Sequence, residues 1–323
     1  MIQQKSAFRL LDMEPEVGSF MADVLSGLQS TPKSLPCKYF YDARGSELFE
    51  QICELEEYYP TRTELQILRA RLPEISAKLG PHCMIIEYGT GSGVKTGMLL
   101  ESLVNPAAYV PIDICRDALM QSAETLAERF ADLELMPICA DFTQEIEIPR
   151  APREAARHVV FFPGSTIGNL THDEAVKFLR GCARLCGSGG AILLGVDLVK
   201  DSVRLEAAYD DAAGVTAEFN RNLLHRMNRE LGADFDVDAF AHEALYNATA
   251  GRIEMHLRCQ REMEVSIDGT KLHFAAGETV HTESSHKYTP EGFRQLAYRA
   301  GLRPEGYWAD SESLFSVQLY GVD

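Results

Sequence analysis

The chain has 323 residues, 46% of them hydrophobic, with 48 acidic against 31 basic side chains and a formal net charge of −17. That length and apolar content supply one large core or two modest ones. A surface of that sign repels phosphate backbones, which argues against a nucleic-acid partner and leaves small cationic ligands electrostatically favoured. The eight cysteines (37, 53, 83, 115, 139, 182, 186, 259) are scattered. Several, such as Cys115 and Cys139, sit in apolar stretches and read as small buried hydrophobes in a reducing compartment, not as a disulfide framework.

The N-terminal "MIQQKSAFRLLDMEPE" has no long apolar core and carries acids early, so no secretory signal is expected. No apolar run is long enough to span a membrane, and the expectation is a soluble cytoplasmic protein with no membrane partner. From Glu47 the pattern has helical period, with Leu48, Phe49, Ile52 and Leu55 on one face. Tyr58-Tyr59-Pro60 breaks it, and "TRTELQILRARLPEISAKL" predicts a second helix. Short apolar strands follow at 83–89, 108–114, 135–142, 158–164 and 191–198, with helices between them at 94–104, 115–130 and 173–186. Strand alternating with helix predicts right-handed crossovers and a parallel, doubly wound α/β sheet with buried strands.

After Asp201 the rhythm changes. The stretch from Ser202 to Phe240 reads as mostly helical, and the stretch from Gly251 to Tyr288 as antiparallel strands with Asp268-Gly269 as a hairpin turn. A helix starts after Thr289, with Pro290 at its first position, and two strands close the chain. The expected division is an α/β domain over 61–200 plus 286–323, and a second α+β lobe over 1–60 plus 201–285.

"IIEYGTGSGVKT", residues 85–96, follows directly on the first strand. A P-loop needs glycine where Val94 precedes Lys95-Thr96, and a dinucleotide fingerprint would need its third glycine at Val94 or Thr96. Both templates fail. What stands is E-x-G-x-G-x-G: Glu87, Gly89, Gly91 and Gly93. That spacing resembles the S-adenosylmethionine loop of Rossmann-like class I methyltransferases. There the glycines let backbone pass close to a ligand that has no phosphate to cradle. An acid ending the first strand, Glu87, suits the ligand's ammonium. Asp113, ending the second, suits ribose hydroxyls. Asp141 and Phe142, ending the third, suit the adenine amino group and face. Three strand ends on one edge are more specific than one loop, because doubly wound sheets bind ligands at that edge. The plainer alternative is a tight strand-to-helix turn with solvated acids.

With "KYFYDARGSELFEQICELEEYYPTRTE", "PGSTIGN", "AYDDAAGVTAEFNRN", "RIEMHLR" and "AAGETVHTESSHKY" all present in order, the chain resembles the histidine Nα-methyltransferases of ergothioneine biosynthesis from about Lys33 to its end. The resemblance implies threefold transfer of methyl from S-adenosylmethionine to the α-amine of L-histidine, giving the betaine hercynine, and leans towards a monomer. Carried across by position, it implies that Asn169 and Tyr209 hold the α-carboxylate and that the carbonyl of Gly164 faces the amine. Tyr58, Glu283 and Ser285 then contact the imidazole, Tyr41 is a water-linked neighbour, and Met255 is a pocket wall. Tyr58, Gly164 and Asn169 are thus the expected catalytic set, and Glu87, Tyr88, Gly89, Gly91, Gly93, Lys95, Asp113, Asp141 and Phe142 the expected cofactor set. The run "EYGTGSG" and His286 in "ESSHKY" depart slightly from the family's pattern.

These residue types suit the chemistry. In-line methyl transfer needs a neutral, aligned amine in a dry pocket and no strong base. Tyr58 and Tyr41 can hold a quaternary ammonium product by cation–π contact, about 0.5–2 kcal/mol. Glu283 and Ser285, two apart on one strand face, offer an anionic acceptor and a hydroxyl to a ring with two nitrogens. No metal is expected. Cys182 and Cys186 have no second pair, and His281-x-Glu283-x-x-His286 is not a zinc-protease helix. Two rivals remain: a methyltransferase for another small amine or amino acid such as tryptophan, and a non-catalytic protein that binds the same cofactor.

Overall fold

The computed structural model describes residues 8, 10–13, 18–91, 93–141, 146–149, 151 and 153–323. In chain order its strands are β1 (Leu11–Asp12), β2 (Lys33–Ser34), β3 (Cys83–Tyr88), β4 (Ala108–Asp113), β5 (Glu134–Leu135), β6 (Ile138–Cys139), β7 (Arg157–Phe162) and β8 (Ala191–Asp197). Then come β9 (Phe240–Asn247), β10 (Arg252–Cys259), β11 (Met263–Ile267), β12 (Thr270–Phe274), β13 (Thr279–His286), β14 (Leu302–Ala309) and β15 (Phe315–Val322). The helices are α1 (Gly18–Gln29), α2 (Ala43–Glu54), α3 (Tyr59–Leu79), α4 (Val94–Ser102), α5 (Arg116–Arg129), α6 (His172–Cys186), α7 (Ser202–Ala207), α8 (Val215–Leu231) and α9 (Pro290–Arg299).

The chain divides into two compact units. The first comprises Pro60–Val199 and Tyr288–Asp323 together with β1. Its nine-stranded sheet runs β1-β6-β4-β3-β7-β8-β15-β14, with β5 paired to β4. The strands from β1 to β8 are parallel, and β15 is antiparallel to both β8 and β14. Continuous apolar runs fit strands covered on both faces: every residue of β3 and of β8 is buried. One apolar layer joins Ile85, Tyr109 and Val159 to α3, α4 and α5 through Leu68, Leu99 and Leu126. The other joins Ile86, Val110 and Val160 to α6 and α9 through Leu179 and Phe293. The chain leaves β3 towards β4 and β6 and returns to β7 on the far side of β3, so the topological switch falls at the carboxyl end of β3.

Two details of this unit differ from the sequence reading. The strand expected at 135–142 is split into β5 and β6, because Pro137 has no N–H to donate to a ladder. Residues 11–12 belong to this sheet and not to the second lobe. Leu11 N bonds to Pro137 O at 2.9 Å and Met13 N to Cys139 O at 3.0 Å, so β1 occupies the open edge beside β6.

The second unit comprises residues 18–59 and Lys200–Lys287. Its four-stranded sheet has the order β2-β13-β10-β9, and β11–β12 form a separate hairpin. Asp268 and Gly269, at φ 46° and 78°, make the two-residue turn of that hairpin, the backbone that Asp-Gly favours. Gly232, at φ 62°, ends α8, so helix stops well short of Phe240 and a loop with one 3-10 turn leads into β9.

Candidate functional site

In the first unit the glycine run leaves β3 with Gly89, Gly91 and Gly93 all left-handed, at φ 78°, 47° and 69°. A Cβ on Gly89 or Gly91 would meet no atom within 4 Å, so backbone conformation and not crowding demands glycine there, and the loop presents bare peptide. Gly93 caps α4, and a Cβ there would come 3.1 Å from Ser122 Oγ. Asp113, ending β4, ties this loop to the next: Thr90 N and Oγ1 donate to its Oδ2 at 2.9 and 3.2 Å, and Cys115 N to its Oδ1 at 2.9 Å. Burial raises its carboxyl, and these three donors oppose that rise. Asp141 is half-buried, next along the same edge after β6. Phe142 lies outside the described residues.

Glu87 and Tyr88 sit in the interior. Thr96 Oγ1 lies 2.6 Å from both carboxyl oxygens of Glu87, and Tyr109 Oη donates to Oε2. Burial lifts this carboxyl to about 8. Glu87 thus fastens the start of α4 to β4 from beneath the loop. Tyr88 packs edge-on against Phe162 and Phe178, with centroids 6.2 and 5.5 Å away.

Lys95 and Gly164 are joined by a residue that sequence reasoning missed. Glu64, on α3 and 1% exposed, accepts from Lys95 Nζ at 2.5 Å and from Gly164 N at 2.9 Å, both through Oε2. Its Oε1 is buried without a hydrogen-bond partner among the described residues. Gly164, at φ 78°, and Ser165, at φ 60°, open the turn after β7. Ser165 Oγ accepts from Asp197 N at 2.9 Å, and Asn169 ends the following 3-10 turn, half-buried.

In the second unit an aromatic cluster forms around Tyr41, Phe49, Tyr58, Tyr209 and Phe219. Tyr58 meets Tyr209 edge-on at 6.1 Å, and Phe49 meets Tyr41 at 5.7 Å and Tyr58 at 6.2 Å. Asp42 sets the chain at Tyr41. It caps α2 through Gly45 N at 2.7 Å and accepts from Asn222 Nδ2 at 2.8 Å and Arg229 Nη2 at 2.5 Å. His242 sets Tyr209. Asn220 Nδ2 lies 2.8 Å from His242 Nδ1, and His242 Nε2 lies 2.8 Å from Tyr209 O, which assigns the neutral tautomer with its proton on Nε2. Burial lowers this imidazole's proton affinity and agrees with that tautomer.

Met255 and Glu283 are direct cross-strand partners of β10 and β13, and Ile253 opposes Ser285. Cross-strand partners share a sheet face, so Met255 lies beside Glu283. Glu283 is 9% exposed, and burial raises its carboxyl to about 7 against the lowering pull of Lys287. Tyr209 Oη donates to Ser285 Oγ at 2.8 Å, and Lys287 Nζ donates to Ser285 Oγ at 2.8 Å and to Tyr209 Oη at 3.0 Å. The same ammonium stands 4.7 Å from the centre of the Tyr209 ring. Lys287 was not singled out in the sequence, although Glu283, Ser285 and Lys287 continue one alternation.

The second unit therefore gathers Tyr41, Tyr58, Tyr209, Met255, Glu283 and Ser285, and the first gathers the glycine loop, Asp113, Lys95, Gly164 and Asn169. No group of three or more metal-ligating side chains able to hold an ion occurs among the described residues. No helix among them is long and apolar enough to cross a membrane.

A family model described as histidine-specific, S-adenosylmethionine-dependent methyltransferase matches residues 20–322. A histidine N-alpha-methyltransferase of Mycobacterium tuberculosis is 45% identical over 303 residues, covering 92% of this chain and 93% of that protein. Ergothioneine biosynthesis protein 1 of Neurospora crassa is 30% identical over 286 residues, covering 86% of this chain and 32% of that longer protein. Among solved structures, the magnesium protoporphyrin IX methyltransferase of Synechocystis PCC 6803 aligns with a TM-score of 0.46 and 10% identity, over 89% of this chain and 98% of that one.

Proposed function

The chain belongs to the histidine-specific, S-adenosylmethionine-dependent methyltransferases, and from that premise we propose how its residues divide the transfer of methyl groups to the α-amine of L-histidine. The reaction runs three times, to the trimethylated betaine hercynine, a step of ergothioneine biosynthesis. S-adenosylmethionine supplies a methyl carbon made electrophilic by its sulfonium.

The first unit fits that donor. Gly89 and Gly91, in left-handed conformations that other residues rarely adopt, offer bare peptide to the ligand. Asp113 holds ribose hydroxyls, Asp141 and Phe142 take the adenine, and Lys95 takes the cofactor's carboxylate. Glu87, both of whose oxygens are engaged by Thr96 and Tyr109, supports the loop from inside instead of binding the ammonium directly. Glu64 keeps Lys95 and the Gly164 peptide in register, so that the Gly164 carbonyl can orient the amine lone pair and bear the growing positive charge. Asn169 donates to the α-carboxylate, and Tyr209 becomes its second donor by turning its one O–H from Ser285 Oγ to the ligand, with Lys287 still donating to the phenol oxygen.

The second unit reads the ring. Glu283 accepts one imidazole N–H, Ser285 engages the other nitrogen, and Met255 closes the pocket wall. Tyr58 and Tyr41 stay protonated, since burial pushes both phenols well up. They present neutral aromatic faces to the growing quaternary ammonium.

The observation that carries this reading is the buried row Glu283–Ser285–Lys287 beside Tyr209, a polar lining that matches a ring with its own donor and acceptor better than an apolar side chain. The test is incubation of the protein with isotope-labelled S-adenosylmethionine and each of the twenty amino acids, followed by mass analysis. Histidine alone should gain one, two and three methyl groups. Methylation of tryptophan, or of none, would overturn the reading.

A further inference from the structure

Lys287 is a lysine with 4% of its surface exposed, a placement that water-loving ammonium groups avoid unless paired. Its Nζ donates to Ser285 Oγ at 2.8 Å, and Ser285 shares a strand face with Glu283. One lone pair of the serine is therefore spent on the ammonium, and the charge of Glu283 already has a counter-charge close by. We propose that Lys287 makes the ring subsite select neutral imidazole and refuse imidazolium. The inference rests on the reading that Glu283 and Ser285 grip the ring.

Charge count in a desolvated pocket sets this preference. Ionised Glu283 and Lys287 sum to zero, and once Glu283 takes up its proton the Lys287 charge stands alone; in either state a neutral ring adds no charge, whereas an imidazolium adds a second cation. An imidazolium would bring a second buried cation against one carboxylate, and an uncompensated buried charge is strongly unfavourable. Tyr41 and Tyr58 interact electrostatically with Glu283, and Tyr209, Cys37 and Cys53 with those tyrosines, while His242 of β9, on the sheet face of Met255, is neutral. The remaining ionisable cluster of these strands, Glu254, His256 and His281, lies on the opposite face, where His281 Nε2 sits 3.0 Å from Ser284 Oγ and His256 Nε2 3.3 Å from Glu254 Oε2. Without Lys287 the balance reverses, and Glu283 alone would welcome a protonated ring.

The experiment compares histidine with its 1,2,4-triazole analogue, whose ring stays neutral across the range, by measuring KM and kcat for both from pH 7.5 to 5.5. Protonation of the α-amine and of Glu283 affects both substrates, so the ratio of the two KM values isolates the ring. An imidazole ordinarily titrates near pH 6.5. In the wild-type protein the histidine-to-triazole KM ratio should therefore rise about tenfold as pH falls to 5.5, with the kcat ratio unchanged. In Lys287→Met the ratio should stay flat or fall, and Lys287→Arg should restore the rise. An equal rise in Lys287→Met, or a flat ratio in the wild-type protein, would overturn the proposal; the wild-type profile tests it even if the methionine variant does not fold. Glu283→Gln and Ser285→Ala separate the two levels: unchanged histidine KM in both would overturn the reading of the ring site itself.

Discussion

Glu283 and Asp113 are both acids at strand ends or edges, and their surroundings give them different work. Glu283 is buried next to Lys287, and its carboxyl is held at about 7. Asp113 is held by Thr90 and Cys115 on the glycine-loop side. Glu283→Ala should raise KM for histidine by at least about 10-fold, a loss of roughly 1.4 kcal/mol or more, and leave KM for S-adenosylmethionine within about twofold. Asp113→Ala should do the reverse without altering amino-acid choice. Steady-state kinetics with each substrate varied in turn measures both. Comparable losses in both constants for Glu283→Ala, or altered amino-acid choice in Asp113→Ala, would reverse the assignments. At this scale the sequence carries the pair Glu283 and Ser285 openly, through strand alternation. It does not carry Lys287, because nothing in the residue types says that the alternation persists one step past the strand. Glu64 is hidden for a similar reason: a glutamate on a helix is ordinarily solvated, and only the fold of α3 against β8 buries it, with Oε1 2.2 Å from where a Cβ on Gly195 would sit.

Elements locate the cofactor side. The apolar runs that read as strands form β3, β4, β7 and β8, since hydrophobic sequence on both faces fits a sheet covered on both sides. Sequence patterning does not reveal that β15 lies between β8 and β14, because strand order within a sheet leaves no local periodicity. Nor does it reveal α1 or the two-residue β1, which are too short or too weakly marked to stand out. Glu87 is the join between elements, with Thr96 of α4 and Tyr109 of β4 on one buried carboxyl. An unfolded glutamate loses its proton near 4.5, whereas the folded one keeps it to about 8. Between those values the unfolded state binds fewer protons, so stability is full below about 4.5 and falls as pH rises towards 8. Glu283 adds to the same fall up to about 7. Glu87→Gln, which cannot ionise, should show a smaller loss of unfolding free energy between pH 5 and 9 than the wild-type protein, by about 4 kcal/mol. Thermal or urea denaturation across that range reads it, and an identical fall in both proteins would show that Glu87 ionises freely in the fold.

For the whole molecule, a net charge of −17 on 323 residues sets the electrostatic background in which a sulfonium cofactor is attracted and polyanions are not. The two units carry distinct chemistry. One presents a glycine loop and acid-bearing strand ends, as doubly wound sheets do at their ligand edge. The other presents an aromatic cluster and a buried polar row. Long ordered motifs make the family readable from sequence. The hydrogen-bond wiring around Lys287 and Glu64 is not readable there, because it depends on residues far apart in the chain meeting at atomic distance. The central claim is that the polar row in the second unit recognises an imidazole ring. A crystal structure with S-adenosylhomocysteine and L-histidine tests it most directly. The account predicts one ring nitrogen within hydrogen-bond distance of a Glu283 carboxyl oxygen and the other within reach of Ser285 Oγ, and a histidine ring bound away from both residues would contradict it.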